Sequence, residues 1–284
     1  MVAQLRTVVL KGPAAAYRST AVIDQEWQAL NYSYPPALDQ AMLEHQQFAS
    51  LLKLCGVRVH CLPGDSRTGL DSIYTHDPVL MTNSGAIILQ AGKKERLGEG
   101  PAFADALKRW NVPILGSVNV DGTVEGGDLI WLDSSTLIVG RSYRTNDAGI
   151  KQLKALLQVC GVSTIVVDLP HWEGPQEVLH LQSFISLLDD DLALIHSRLM
   201  PVALYEILND RGIKVVNVSD GEFKSLGCNV LTVSPRKVLM LIGNPITRSL
   251  LKEAGCQISE FTGNDICLPG SGGPTCLVQP LLRE

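Results

Sequence analysis

The chain has 284 residues, of which 45% are apolar and 19% charged, with a formal charge of −5. That composition excludes fibrous and bulk-disordered proteins and supplies enough apolar side chains for a large core. No block of five Lys or Arg gives the electrostatic footprint of a nucleic-acid binder, the apolar runs are too short to span a bilayer, and the start MVAQLRTVVLKGP lacks a secretory pattern. A cytoplasmic protein with small-molecule partners is expected, with neither nucleic acid nor membrane; a homodimer stays open.

Along the chain a helical pattern ends at Gly or Asn and passes directly into a short β-branched strand. This happens five times, in LLKLCG-VRVHCL, ALKRWN-VPILG, LLQVCG-VSTIVVDL, EILNDRG-IKVVNV and LLKEAG-CQISEF. The stops are Gly56, Asn111, Gly161, Gly212 and Gly255, at spacings of 55, 50, 51 and 43 residues. Both residue types tolerate the left-handed backbone that closes a helix. Between successive units lie two extended runs joined by turn residues: PVLMTNSGAIILQ, DLIWLDSSTLIVG, FISLLDDDLALIH and VLTVSPRKVLMLI. A fifth hairpin is missing, and pairing of the C-terminal CLVQPLL with the N-terminal RTVVLKG would supply it. Repeats of this length favour a propeller-like array of ββαβ-type units over an ordinary sheet, and either reading is α/β. The chain is read as a single domain over 1–284. Residues 14–37 are an irregular insert before the first helix, a candidate lid.

Seven cysteines without a C-x-x-C pair fit neither a disulfide scaffold nor a zinc ribbon. Cys55, Cys160 and Cys256 read as small core residues beside helix ends. Cys276 differs, because GSGGPTCL places it after Gly and Pro, where backbone can approach a ligand and a thiol can be presented at a rim. Half of that signal is shared with a plain turn entering a strand. TVEGGDLIWL offers Glu125 and Asp128, and DSIYTHDPVL offers Asp71 and Asp77; carboxylates beside core strands imply a cationic partner, although Asp128 alone reads as well as a turn carboxylate. His180, in EVLHLQSFISLL, alone reads as a core histidine. Arg96 and Arg144 are loop arginines that are usually solvated yet can clamp a carboxylate bidentately.

Taken together, Asp71 with Asp77, EGGD at 125–128, GRSYRTN, His180-Leu181-x-Ser183, GCNVL and the terminal GGPTCL resemble the guanidino-group modifying enzymes across nearly the whole chain, and within them the dimethylarginine dimethylaminohydrolases. The resemblance implies a five-bladed α/β propeller. It further implies a hydrolase of a C–N bond in a substituted guanidine, with Cys276 as nucleophile, His180 as general acid and base, and no cofactor or metal. Asp77 and Glu125 would hold the guanidinium, Arg96 and Arg144 the α-carboxylate, and Asp71 the α-amino group, with Asp128 counted in the substrate-binding set. Two positions depart from relatives. Gln182 stands where deiminases and amidinotransferases carry Asp, which leaves room for an N-alkyl group, and His76 stands where some relatives have an acid. An Nω-methylated arginine, or a close analogue, is therefore the expected substrate. Deimination of arginine or agmatine, amidino transfer and non-catalytic arginine binding are the alternatives.

Overall fold

All five helix stops read from the sequence carry left-handed backbone, with φ of 79° at Gly56, 55° at Asn111, 70° at Gly161, 68° at Gly212 and 83° at Gly255. Most side chains are strained there, so glycine or asparagine ends each helix and turns the chain into the next strand.

The computed structural model describes residues 2–284. In chain order it contains β1 (Leu5–Leu10), the helices α1 (Pro13–Ala16), α2 (Thr20–Glu26) and α3 (Leu38–Leu54), β2 (Arg58–Cys61), β3 (Val79–Thr82), β4 (Gly85–Ile88), α4 (Glu99–Arg109) and β5 (Ile114–Ser117). Next come β6 (Leu129–Asp133), β7 (Thr136–Arg141), α5 (Asp147–Val159), β8 (Ser163–Asp168), β9 (Ile185–Asp189), β10 (Leu192–Ile195), α6 (Val202–Asp210) and β11 (Lys214–Asn217). The last elements are α7 (Asp220–Phe223), β12 (Leu231–Ser234), β13 (Lys237–Leu241), α8 (Pro245–Glu253), β14 (Gln257–Phe261) and β15 (Gln279–Arg283).

The strands form five three-stranded sheets, in the orders β3-β4-β5, β6-β7-β8, β9-β10-β11, β12-β13-β14 and β15-β1-β2. In every sheet the first pair is antiparallel and the second parallel. A parallel pair needs a crossover, which α4, α5, α6, α8 and α3 supply in turn. The missing fifth hairpin is completed in space, with Leu5 opposite Arg283 and Val9 opposite Gln279. The middle strands are nearly continuous apolar runs buried along their length, as in β4 and β10, because a helix or a neighbouring unit covers each face. The first strands β3, β6, β9, β12 and β15 all contribute to one cavity of about 470 Å³, around which the five units are arranged as an α/β propeller.

The segment 14–37 differs from its expected irregular form. Pro13 starts α1, and the Ser19 side chain accepts from the Val22 N–H to cap α2, so local capping makes much of it helical. It is also fastened down: the Tyr17 hydroxyl donates to the Asp265 carbonyl, Ser33 N–H to the Pro269 carbonyl, and Leu70 N–H to the Glu26 carboxylate.

Candidate active site

Each unit contributes to one site from the loop just before its first strand. Asp77 precedes β3, Glu125 precedes a 3-10 turn leading into β6, His180 precedes another leading into β9, Asn229 precedes β12, and Cys276 precedes β15. Repetition of one supersecondary unit thus brings five distant sequence positions to the same end of the fold. Asp77, His180, Asn229, Cys276 and Arg144 line a cavity of about 200 Å³ there.

Asp77, Arg96, Glu125, Arg144 and His180 are almost wholly buried and hold one another. Asp77 accepts from Arg96 Nη1 at 2.7 Å and from the Gly127 N–H at 2.9 Å. Burial opposes its ionisation, but Arg96 and His180 outweigh that and keep its pKa well below the usual carboxylate range. Glu125 accepts from His180 Nε2 at 2.7 Å, from Gly92 N–H at 2.9 Å and from Arg144 Nη1 at 3.5 Å. Its pKa is also lowered, with His180 and Arg144 overcoming burial. Burial alone would make His180 neutral; Asp77, Asp128 and the Glu125 hydrogen bond reverse this and raise its pKa to about 9, so the ring is an imidazolium at neutral pH. A Cβ at Gly127 would lie 2.3 Å from the His180 ring, so the second glycine of EGGD is what lets histidine and loop approach.

Cys276 Sγ sits 3.5 Å from the Asn229 amide nitrogen, whose carbonyl oxygen accepts from both the Thr275 N–H and hydroxyl. Burial first, and the nearby Asp77 charge second, push the thiol pKa up to about 11. At neutral pH Cys276 is therefore a protonated thiol that shares the site with two carboxylates and an imidazolium. One ligand atom each from Asp77, Glu125 and His180 lies within 4.8 Å of the others, a spacing a metal ion could also use. The chemistry of the set fits an organic cation better, since the histidine carries its proton and the acids are already bonded to N–H donors.

Several expected ligands are placed differently. Asp128 lies beneath the cavity, where its oxygens accept from the Leu181 N–H and the Ser142 hydroxyl, so it positions the His180 turn instead of facing a ligand. Arg96 is engaged by Asp77, by both oxygens of Glu99 and by the Tyr74 carbonyl, leaving little of its guanidinium for a carboxylate. Arg144 keeps more of its donors, with the long Glu125 contact as its only side-chain hydrogen bond among the described residues. Asp71 is paired with Lys93. The Gln182 amide nitrogen lies 2.8 Å from His76 Nε2 and from the Leu129 carbonyl, so the two positions that depart from relatives are hydrogen-bonded to each other. Burial lowers the His76 pKa and its Nδ1 faces the Val278 carbonyl, which makes it a neutral ring accepting from Gln182. The glycines before Cys276 make room for protein, not ligand: a Cβ at Gly272 would meet the Tyr74 ring at 2.3 Å.

Asn229, Thr275, Glu99 and Lys93 were not singled out by sequence. Asn229 lies inside GCNVL, and its offset before β12 matches that of Asp77 before β3, a signal that comparing the repeats would have exposed.

Residues 14–283 match the family described as "N,N dimethylarginine dimethylhydrolase, eukaryotic". Among curated proteins, the dimethylarginine dimethylaminohydrolase of Pseudomonas aeruginosa is 28% identical over 242 residues, covering 85% of this chain and 89% of the relative. An arginine deiminase of Staphylococcus haemolyticus is 24% identical over 260 residues, covering 74% and 61% respectively. For the fold, a cysteine-to-serine mutant of the Pseudomonas enzyme complexed with citrulline superposes with a TM-score of 0.80 at 24% identity, over 99% of this chain and 100% of the other. The chain belongs to the N,N-dimethylarginine dimethylhydrolase family, hydrolases of C–N bonds in guanidino compounds.

Proposed function

We propose that this protein hydrolyses the C–N bond of an Nω-substituted guanidino acid such as Nω-methylated or dimethylated arginine, giving a ureido acid (citrulline from arginine derivatives) and the alkylamine. The observation that carries this is the buried cluster of Asp77, Glu125 and protonated His180 on a cavity that also exposes the Cys276 thiol. Two carboxylates fix the plane of a guanidinium, and its positive charge beside the sulfur lowers a thiol pKa that otherwise stands near 11, so the thiol gives its proton to solvent and the substrate generates its own nucleophile.

The thiolate attacks Cζ, with Asn229 donating to the sulfur until the bond forms. Imidazolium His180 gives its proton to the departing amine, which leaves with the C–N bonding pair, and a thiouronium remains on Cys276. Neutral His180 then takes a proton from water as the oxygen adds to the same carbon; sulfur departs with the C–S bonding pair, the added hydroxyl gives its proton to that sulfur, and the ureido product and the thiol form. The imidazolium produced in that step is ready for the next cycle. Glu125 keeps the ring oriented, and Arg144 binds the substrate carboxylate.

Deimination of an unsubstituted guanidine is the rival reading. Gln182 disfavours it, because its amide turns its N–H groups toward His76 and Leu129 and places no carboxylate at that edge. Incubation with methylated arginines, arginine, agmatine and guanidino acids, with both ureido product and released amine assayed, tests the proposal. Alkylamine release in step with the ureido product is expected; ammonia release from arginine at equal or greater efficiency would reject it. We place the protein in the cytoplasm, where thiols such as its seven stay reduced.

A further inference from the structure

On the wall of the active cavity, the Lys93 ammonium is held by Asp71 Oδ2 at 2.7 Å and by the Leu30 carbonyl at 2.6 Å. Lysine side chain and acid are only 15% and 8% exposed, and all three residues line the cavity. A carboxylate and a carbonyl converging on one point make a receptor for a primary ammonium, and the chain's own lysine occupies it. Nothing in the catalytic steps requires this lysine.

We infer that Lys93 is a specificity determinant that stands in for the α-ammonium group of a substrate, so that the pocket favours Nω-alkylated guanidino acids bearing a carboxylate but no α-amino group. This rests on the reading of the site as a guanidine C–N hydrolase and narrows its substrate class. The charges decide the matter. A zwitterionic amino acid that brought its ammonium to Asp71 would have to expel Lys93, leaving its ammonium without that partner on a cavity that already carries Arg96, Arg144 and the His180 imidazolium. A guanidino monocarboxylate leaves the Lys93–Asp71 pair intact and delivers its carboxylate to a region already carrying the Lys93 and Arg144 charges. Leu30 belongs to the 14–37 segment, so the same lysine ties that segment to the wall of the site.

The test compares Nω,Nω-dimethylarginine with its des-amino analogue, 5-(dimethylguanidino)pentanoate, by kcat/KM for dimethylamine release in the native protein and in Lys93→Met and Lys93→Ala. The native protein should favour the des-amino acid by at least about tenfold. Both substitutions should move the ratio toward dimethylarginine by a similar factor, chiefly through KM, and adding Asp71→Asn to Lys93→Met should cancel that gain. A native preference for dimethylarginine, or a ratio that Lys93→Met leaves unchanged in a folded protein, overturns the inference while leaving C–N hydrolysis standing. If neither compound is turned over, the hydrolase reading fails separately, and calorimetric binding of both to Cys276→Ser decides: tighter binding of the des-amino acid upholds the role of Lys93, whereas tighter binding of dimethylarginine, or of neither, removes it.

Discussion

Two cavities lie on either side of Gln182, which lines both, and they differ in kind. The larger, about 470 Å³, is walled by the five first strands and offers mostly apolar or neutral surface, with Leu80, Leu129, Ile185 and Leu231 among its residues. The smaller, about 200 Å³, draws Asp77, His180 and Cys276 from the loops leading into those strands, and Arg96 and Arg144 from the segments that follow β4 and β7. Volume therefore does not single out the candidate active site of this fold. Convergence of ionisable groups whose protonation the surroundings have moved does, because desolvated charges in contact are costly unless a ligand or a reaction uses them.

The sharpest way to break this contrast is at the sulfur. Cys276→Ser should lower amine release by about a thousandfold or more, since a hydroxyl without a strong base is a poor nucleophile, while the melting temperature stays close to native. Residual turnover at a tenth of the native rate would move the nucleophile elsewhere.

Next in size is the Glu125–His180 pair. With the His180 pKa near 9, a step needing imidazolium should fade as pH rises through about 9. Glu125→Gln removes a cause of the raised pKa, so kcat should fall by about a hundredfold and the alkaline limb should move to lower pH by about one unit. The same shift is a stability statement. A raised folded-state value contributes stability that is fully present below the ordinary 6.5 and is lost as pH rises through about 9. Urea midpoints at both ends of that window should differ more in the native protein than in Glu125→Gln; equal differences would detach the pair from the fold.

Smaller still is the partition between the cavities. Gln182→Asp puts an acceptor where an amide now donates to His76 and Leu129, and gives the guanidinium edge a negative charge that a dimethylated nitrogen cannot satisfy. The kcat/KM ratio for dimethylated over unsubstituted guanidine should drop by about tenfold. An unchanged ratio in a folded variant would show that this edge does not read the alkyl group. The smallest effect is expected in the larger cavity, where Leu282 is 44% exposed. Leu282→Ala should change kcat/KM by less than about twofold and stability by roughly 0.5 kcal/mol or less; a tenfold loss of activity would mean that the second cavity takes part in turnover.

How far the sequence was readable follows from the range of each interaction. Helix stops, hairpins and the pairing of RTVVLKG with CLVQPLL were legible because capping glycines and period-two runs are local or simply complementary. Cys276, His180, Asp77 and Glu125 were picked out through resemblance; the first three line one cavity, and Glu125 is buried behind it on His180. What stayed hidden was pairing across the site. Whether Arg96 faces a ligand or Glu99, whether Asp71 is open or held by Lys93, and whether Gly272 makes room for substrate or for Tyr74 depend on residues far apart in the chain. Asp128 shows the same limit, since only the fold reveals that both its oxygens are taken up by the loops it supports.

The sheet that unites β15 with β1 and β2 also governs when a newly made molecule can first work. Cys276 stands three residues before β15, whose partner β1 lies far upstream, so this thiol and its frame can be joined only after every residue between the two strands has been made. Until then the preceding four units have no thiol at this position and β1 has no antiparallel neighbour. With Cys276 as the proposed nucleophile, a chain not yet made as far as β15 is catalytically silent, and the strand that completes the site is the same one that completes the β15-β1-β2 sheet.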